Sequence, residues 1–432
     1  MQALGIDIGT TSICGVVLDA QSGTVLRVEN RKNDSFLPPT APFAKEQDVA
    51  KITAQIDALL DVLYDEKTIG VIGVTGQMHG IVYLDQHGAP CSPLYTWQDG
   101  RGNETDENGV TYADRLHGAT GFGLVTDLYN EEHGLIAPQA VTFCTIHDYI
   151  AMRMCQNHAP LIHTSDAASF GAYDAQTHRF LVHNDRLPNV VNDFRVIGTY
   201  HDTPVCVAIG DNQASFLGTA GESCALINVG TGSQISIPVQ GYCKTELLET
   251  RPLCGEDYIL VGSSLCGGRA FAILEHFFAD VVQMATGTRP ENLYPAMDEM
   301  LKTPHDTTVR IDPRFSGTRT DPSLRARILE LSEDNFTARD LGWAMLWGMT
   351  DELYTLYTSA NIDFKQFVGS GNGLRRNQAL RHCMEQRFGS PIRFSKNREE
   401  AAVGAAMSGL CAVGEYRNWK EIAQHIPYQT DV

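Results

Sequence analysis

Two aspartates at the ends of apolar runs, each beside a glycine-rich turn, are the residues of this chain best placed to do chemistry together. Asp7 lies within Leu4-Gly5-Ile6-Asp7-Ile8 and is followed by Gly9-Thr10-Thr11-Ser12. Asp211 follows the run Val205-Cys206-Val207-Ala208-Ile209 and Gly210. The first turn has an echo: Ile6-Asp7-Ile8-Gly9-Thr10-Thr11-Ser12 returns 221 positions later as Ile227-Asn228-Val229-Gly230-Thr231-Gly232-Ser233. A strand breaking into Gly-Thr suits an anion. Glycine lets the backbone approach closely, and amides and hydroxyls can point at phosphate oxygens. A single Gly-Thr turn is an ordinary hairpin, but two at half the chain length read as paired turns clasping one polyphosphate.

Transfer of a phosphoryl group to an alcohol needs a base for the hydroxyl proton and positive charge for the phosphate oxygens. Asp211 is the expected base. Asp7 is expected to meet a Mg²⁺, which keeps most of its waters and takes few protein ligands, and Asp211 is a second expected metal ligand. Each acid has a plainer reading, Asp7 as a turn cap and Asp211 as a helix N-cap, and one carboxylate can serve both roles. A third turn, Gly369-Ser370-Gly371-Asn372-Gly373 with Asn377 after it, suits a flat ring or a phosphate lying against bare backbone at a helix start. Gln77, Met78 and His79, then Trp97, Asp99 and Arg101, with Asn212 beside the base, are the expected sugar contacts. Amide, carboxylate and guanidinium groups bond hydroxyls, and an aromatic face covers C–H surface.

The elements that must hold these residues read as layered α/β. A strand, hairpin and second strand (Gly15 to Asp19) open the chain, followed by a Pro- and Asn-rich loop from Asn30 to Pro42. The spacing of Ile52, Ile56, Leu59, Leu60 and Leu63 predicts a helix. A buried strand over Ile69 to Thr75 runs into Gly76-Gln77-Met78-His79-Gly80, and Arg101 to Gly109 is expected to be a surface loop. A helix is expected over Thr337 to Ser359 from its Thr-x-x-Asp start, and another from about Arg376 to Gly389. Ala401-Ala402-Val403-Gly404-Ala405-Ala406 belongs to a last helix whose small residues permit close packing. The domain boundary is expected near Gly218 to Glu222, giving a first domain 1–220 with the base and the expected sugar contacts, and a second domain 221–432 with the third turn, to which the resemblance described below assigns adenosine.

At 432 residues the chain suits two domains of about 200 residues each. The net charge of −19 argues against nucleic acid or an anionic membrane as partner. The N-terminus lacks a basic stretch and no apolar run of about 18 residues occurs, so neither a signal peptide nor a membrane span is expected. Eleven cysteines without a Cys-x-x-Cys pair read as reduced thiols of a cytoplasmic protein. The fourteen histidines lack zinc-ligand spacing.

These residues, in this order, resemble the FGGY carbohydrate kinases of the actin, Hsp70 and hexokinase superfamily, over essentially the whole chain. Gly5 to Ser12 resembles the family's first phosphate motif. Gly210-Asp211-Asn212-Gln213-Ala214 resembles the catalytic segment, and Asn228 to Ser233 the second phosphate motif. Gly369 to Asn377 resembles the adenosine motif. The resemblance implies an α/β fold of two actin-like (ribonuclease H-like) domains with a cleft between them. It implies ATP and Mg²⁺ as cofactors, with Gly9, Thr10, Thr11, Ser12, Gly230, Thr231, Gly232, Gly371, Gly373 and Asn377 at the nucleotide. Partners are then a small sugar and ATP, in a monomer or homodimer. Gly76-Gln77-Met78-His79-Gly80 is similar to ketose kinases such as xylulokinase. Thr96 to Arg101, Thr145 to Tyr149 and Ser165 to Ser169 look most like sedoheptulokinase, which phosphorylates the terminal primary hydroxyl of sedoheptulose. Cys14 departs from the family, which often has Lys or Arg there; Arg101 or Arg269 is the expected substitute. An actin- or Hsp70-like ATPase scaffold would share the phosphate turns but has no need of the pocket loop.

Overall fold

The computed structural model describes residues 1–318 and 321–429, and it builds one arrangement twice. In the first half β1 (Gln2–Ile8) pairs antiparallel with β2 (Ser12–Asp19), and β2 with β3 (Val25–Lys32). Helix α1 (Val49–Leu63) starts at Asp48, whose carboxylate accepts the Ala50 and Lys51 amides. It buries Ile52, Ile56, Leu59, Leu60 and Leu63, the set predicted from spacing. The largely apolar β4 (Ile69–Gly76) returns parallel to β1. Beyond it lie β5 (Val196–Tyr200) and β6 (Thr203–Cys206), and the short β7 (Ile209–Gly210) pairs with the tip of β4. Strand β3 extends to Lys32, so the loop expected from Asn30 begins later. Its Asn30 pairs with Cys14 of β2.

After helix α2 (Asp211–Thr219) the chain enters the second sheet: β8 (Cys224–Val229), β9 (Ser233–Gln240), β10 (Glu249–Cys254), β11 (Asp257–Ser264), β12 (Gln366–Ser370) and β13 (Ile392–Phe394). Strand β8 stands between an antiparallel β9 and a parallel β12, as β1 stands between β2 and β4. Each half has its own apolar core, around Ile6, Ile72 and Phe143 in the first and Ile227, Trp343 and Phe367 in the second. Helices α3 (Gly267–Thr286), α4 (Ala338–Ser359, capped by the Thr337 hydroxyl) and α5 (Gln378–Phe388) belong to the second half. Asn377 caps α5, so the helix expected from about Arg376 is preceded by a separate turn at Asn372–Arg376.

Between the sheets lies a third core containing Phe216, Leu226, Val261, Val368 and Met407. It is filled by α2 and by the last helix, α6 (Glu400–Ala412). Helix α6, from the part expected to form the second domain, packs on β1, β4 and α2 of the first half. A Cβ at Gly5, Gly73 or Gly404 would land on the backbone carbonyls of Ala402, Ala405 or Ala214. Only small residues allow that approach. Residues 319, 320 and 430–432 of the second domain lie outside the described residues. No helix among the described residues is long and apolar enough to cross a membrane, and the eleven cysteines are all free thiols.

Candidate active site

Parallel pairing sets the tips of β1, β4 and β7 in register: Asp7 lies level with Thr75 and Ile209, and Ile8 with Gly76 and Gly210. Asp211 is the next residue and opens α2. Its N-cap is Gly210, so the Asp211 carboxylate is not the cap and sits in the first turn, where the helix dipole favours negative charge. Gly76 leaves the middle of this row bare; a Cβ there would come within 2.8 Å of the Ile8 carbonyl and 3.1 Å of His147 Nδ1. Met78 lies against Gly210, where a Cβ would meet its sulfur at 2.6 Å.

The tip that carries Asp211 is held from both sides. Thr75 Oγ1 donates to the Ile209 carbonyl at 2.6 Å, and the Gly210 amide donates to Ser165 Oγ at 3.0 Å. Beside Ser165, Asp166 Oδ1 lies 2.9 Å from His147 Nε2, and both side chains are fully buried. Burial lifts the Asp7 carboxyl to about 7, helped by the charges of Asp211 and Glu399. Burial also raises Asp211, while His147 and Arg251 hold it down.

The two phosphate turns are tied from beneath. In the first, the Gly9 carbonyl accepts Asn33 Nδ2, the Thr10 carbonyl accepts Gln47 Nε2 and the Thr11 carbonyl accepts the Asn33 amide, each at 2.9 Å. A trans peptide is planar, so these carbonyls turn the amides of Thr10, Thr11 and Ser12 the opposite way. In the second, the carbonyls of Gly230 and Thr231 accept the amides of Gly268 and Arg269 from the start of α3, at 2.9 and 3.0 Å. The amides of Thr231 and Gly232 therefore also face outward. The third turn presses on the second: Gly371 has φ +80°, and a Cβ there would lie 2.6 Å from Asn228 Oδ1. A Cβ at Gly373 would lie 2.8 Å from the Val229 carbonyl. Asn377 Oδ1 caps α5 by accepting the Leu380 amide at 2.8 Å, so only its amide nitrogen can meet a nucleotide.

The start of α6 joins these turns across one gap. Arg375, beside the third turn, bonds Glu400 at 3.2 Å. Asn30 donates to Glu399 at 3.2 Å, and Glu399 acts on both Asp7 and Cys14. Sequence reasoning missed Glu399, which arrives from the far end of the chain. It also missed Arg251 of β10, a cation of the second half that acts on Asp211.

The expected sugar wall divides. Gln77, Met78, His79 and Trp97 stand together near Thr10. Trp97 Nε1 donates to Thr10 Oγ1 at 2.9 Å, and the indole is 46% exposed. His79 has φ +73°, stacks on Phe122 at 4.6 Å and reaches the Ser169 carbonyl through Nδ1 at 2.7 Å. Asn212 lies beside the base, with a buried Oδ1 that meets no donor. Asp99 and Arg101, also expected at the sugar, are both buried and bond to each other. Arg101 Nε donates to Asp99 at 2.7 Å and Nη2 to Glu46 at 2.9 Å; Nη1 donates to Asn130, and the guanidinium lies over the Tyr95 ring. Arg101 is 2% exposed, in a short 3₁₀ turn at Arg101–Asn103 where a surface loop was expected. It therefore cannot replace the cation missing at Cys14, whereas Arg269 is exposed at the start of α3 beside the second turn. Cys14 is buried, and burial and Glu399 keep its thiol protonated. A cavity of about 990 Å³ lies elsewhere, against β11 and α4, and includes none of these residues.

Two buried acids, both raised by burial and one of them also by the other's charge, fit a divalent cation, which would neutralise both with few protein ligands. The outward amides of the first two turns fit a nucleotide's phosphates.

Comparison with known proteins agrees with this geometry. Residues 2–218 match the model of the FGGY family of carbohydrate kinases, N-terminal domain. The chain is 28% identical to a Sedoheptulokinase of Mus musculus over 464 residues, covering 94% of this chain and 96% of that one. Among solved structures, a xylulose kinase from Rhodospirillum rubrum superposes with a TM-score of 0.83 at 20% identity, covering 100% of this chain and 94% of the other. A Plasmodium falciparum glycerol kinase with ADP gives 0.78 at 17% identity, covering 99% and 93%.

Proposed function

Because the chain belongs to the FGGY family of carbohydrate kinases, we propose that it transfers the γ-phosphoryl group of ATP to the terminal primary hydroxyl of a ketose, sedoheptulose, giving sedoheptulose 7-phosphate. The observation that carries the chemistry is the shared row of Asp7 and Asp211 at neighbouring strand tips, beside a turn whose carbonyls are all tied back. The choice of sugar rests on the resemblance to the mouse Sedoheptulokinase across nearly the whole chain.

Asp211 takes the hydroxyl proton as the sugar oxygen attacks phosphorus, and its raised proton affinity suits that task. The outward amides of Thr10, Thr11, Ser12, Thr231 and Gly232 hold the phosphate oxygens while the bond to the leaving oxygen breaks. Mg²⁺, held by Asp7 and Asp211, would supply positive charge at the phosphate. Gln77, Met78, His79 and Trp97 orient the sugar, and Gly371, Gly373 and the Asn377 amide receive the adenosine. Closing the gap between the two halves excludes water, which protects ATP from hydrolysis.

An ADP-release assay across sedoheptulose, xylulose, ribulose, fructose and glycerol tests the reading. Sedoheptulose should give the highest kcat/KM; a higher value for xylulose would replace it as substrate. Asp211→Asn should lose about 10²–10⁴ in kcat while still binding ADP. Near-normal turnover in that variant removes Asp211 as the base, and ATP turnover indifferent to every sugar would favour a scaffold ATPase.

A further inference from the structure

Thr10, Gln77 and Gln47 close a ring of hydrogen bonds beneath the first phosphate turn, and Trp97 donates into it from outside. Trp97 Nε1 donates to Thr10 Oγ1 at 2.9 Å, and Thr10 Oγ1 donates to Gln77 Oε1 at 3.3 Å. Gln77 Nε2 donates to Gln47 Oε1 at 2.8 Å, and Gln47 Nε2 donates back to the Thr10 carbonyl at 2.9 Å. The directions are forced from the carbonyl end. The Thr10 carbonyl can only accept, so Gln47 turns its nitrogen to it and its oxygen to Gln77 Nε2, which leaves Gln77 Oε1 for the Thr10 hydroxyl proton. Neither amide can flip without setting oxygen against oxygen. Gln47 is fully buried and Gln77 nearly so, which makes an unmade bond here costly.

We propose that Gln47 is a positioning residue that couples occupancy of the sugar wall to the geometry of the first phosphate turn. The inference rests on the sugar-kinase reading above and adds to it a residue that touches neither ligand. Gln47 acts at both ends. Its grip on the Thr10 carbonyl sets the Thr10–Thr11 peptide plane and so aims the Thr11 amide at the nucleotide. Its bond to Gln77 links that plane to the loop carrying Met78 and His79. Trp97, the donor attached to this ring, is exposed, with an indole face on which the C–H surface of a sugar can lie. A sugar that shifts the indole changes what the Thr10 hydroxyl accepts, and the ring transmits the change to the turn. Linkage makes the effect mutual: nucleotide at the turn must alter the Trp97 end as well.

Two measurements test this on the intact protein. The first is the dissociation constant of MgADP by calorimetry, with and without saturating sedoheptulose or whichever ketose the wild type phosphorylates. Sugar should change it by about fivefold or more in the wild type and by less than about twofold in Gln47→Leu. The same factor in both proteins overturns the proposal, because a purely structural Gln47 would lower the melting temperature and leave the ratio intact. The second needs no sugar: the emission of Trp97, taken as wild type minus Trp97→Phe, should respond to MgADP, and in a Gln47→Leu background the response should vanish. A response that survives refutes the coupling. If Gln47→Leu does not fold, Gln47→Glu keeps the shape but turns an oxygen toward the Thr10 carbonyl and should lose the coupling likewise. Should the wild type phosphorylate no sugar of the panel, the substrate reading fails, and the emission measurement alone decides for or against Gln47.

Discussion

Replacing Asp7 with asparagine should stabilise the ligand-free protein at alkaline pH, although it removes an expected metal ligand. Asp7 is lifted from 3.8 to about 7 by burial and by the charges of Asp211 and Glu399. At pH below 3.8 both folded and unfolded chains hold the proton, and Asp7 contributes nothing. Between 3.8 and about 7 the unfolded chain ionises first, so rising pH draws the wild type toward unfolding. Above about 7 the penalty is complete. At 1.36 kcal/mol per pH unit it reaches about 4 kcal/mol as an upper bound. Asp7 keeps partial contact with water, and screening reduces the expected effect to about 1–2 kcal/mol. Asparagine has no charge to bury. Melting in EDTA should therefore show Asp7→Asn above the wild type by about 2–6 °C near pH 8, with a smaller gap near pH 5. Added Mg²⁺ should raise the wild type and spare the variant, closing the gap. An Asp7→Asn protein no more stable than wild type near pH 8, or with an equal gap at both pH values, would refute the assignment of strained, converging carboxylates at this tip.

Two further outcomes follow from the packing. Arg101→Leu strands Asp99 and Glu46 inside the wall and should cost about 3–5 kcal/mol, with KM for sugar rising more than KM for ATP, because the Trp97 segment rests on this pair; denaturant melts and steady-state kinetics check both. Gly404→Ala drives a methyl group into the Ala214 carbonyl and should cost about 1–3 kcal/mol or more, and an unchanged denaturant midpoint would mean that α2 and α6 do not touch.

The phosphate turns could be read from the sequence because they are local: apolar strand, Gly-Thr break and second strand follow one another without a gap. The repeat also carried the architecture, since a chain that writes the same strand-turn-strand twice tends to build the same sheet twice. Asp211 was legible as a strand-tip acid, but whether it capped its helix depended on a backbone angle that residue types do not reveal. Asp99 and Arg101 show what residue types leave open. An acid and a base two residues apart look alike whether they await a ligand or each other, and only the 3₁₀ turn that folds the guanidinium back beneath Tyr95 decides between them. Glu399 and Gln47 carried no local signal, because they meet Asn30, Thr10 and Gln77 across long stretches of chain, and Arg251 showed only its neighbour Glu249. The placement of α6 was half visible: Ala-Ala-Val-Gly-Ala-Ala announced close packing but not against which sheet.

That placement bears on how the polypeptide matures. The helix that covers Gly5 and Gly73 follows the second sheet in the chain, so a ribosome that has delivered the first sheet has yet to make its cover. Until residues 400–412 emerge, the nascent N-terminal half exposes the apolar face around Val71, Ile209 and Phe216. For the same reason a fragment cut at residue 220 should be sticky and short-lived, and supplying residues 400–412 as a peptide should rescue it.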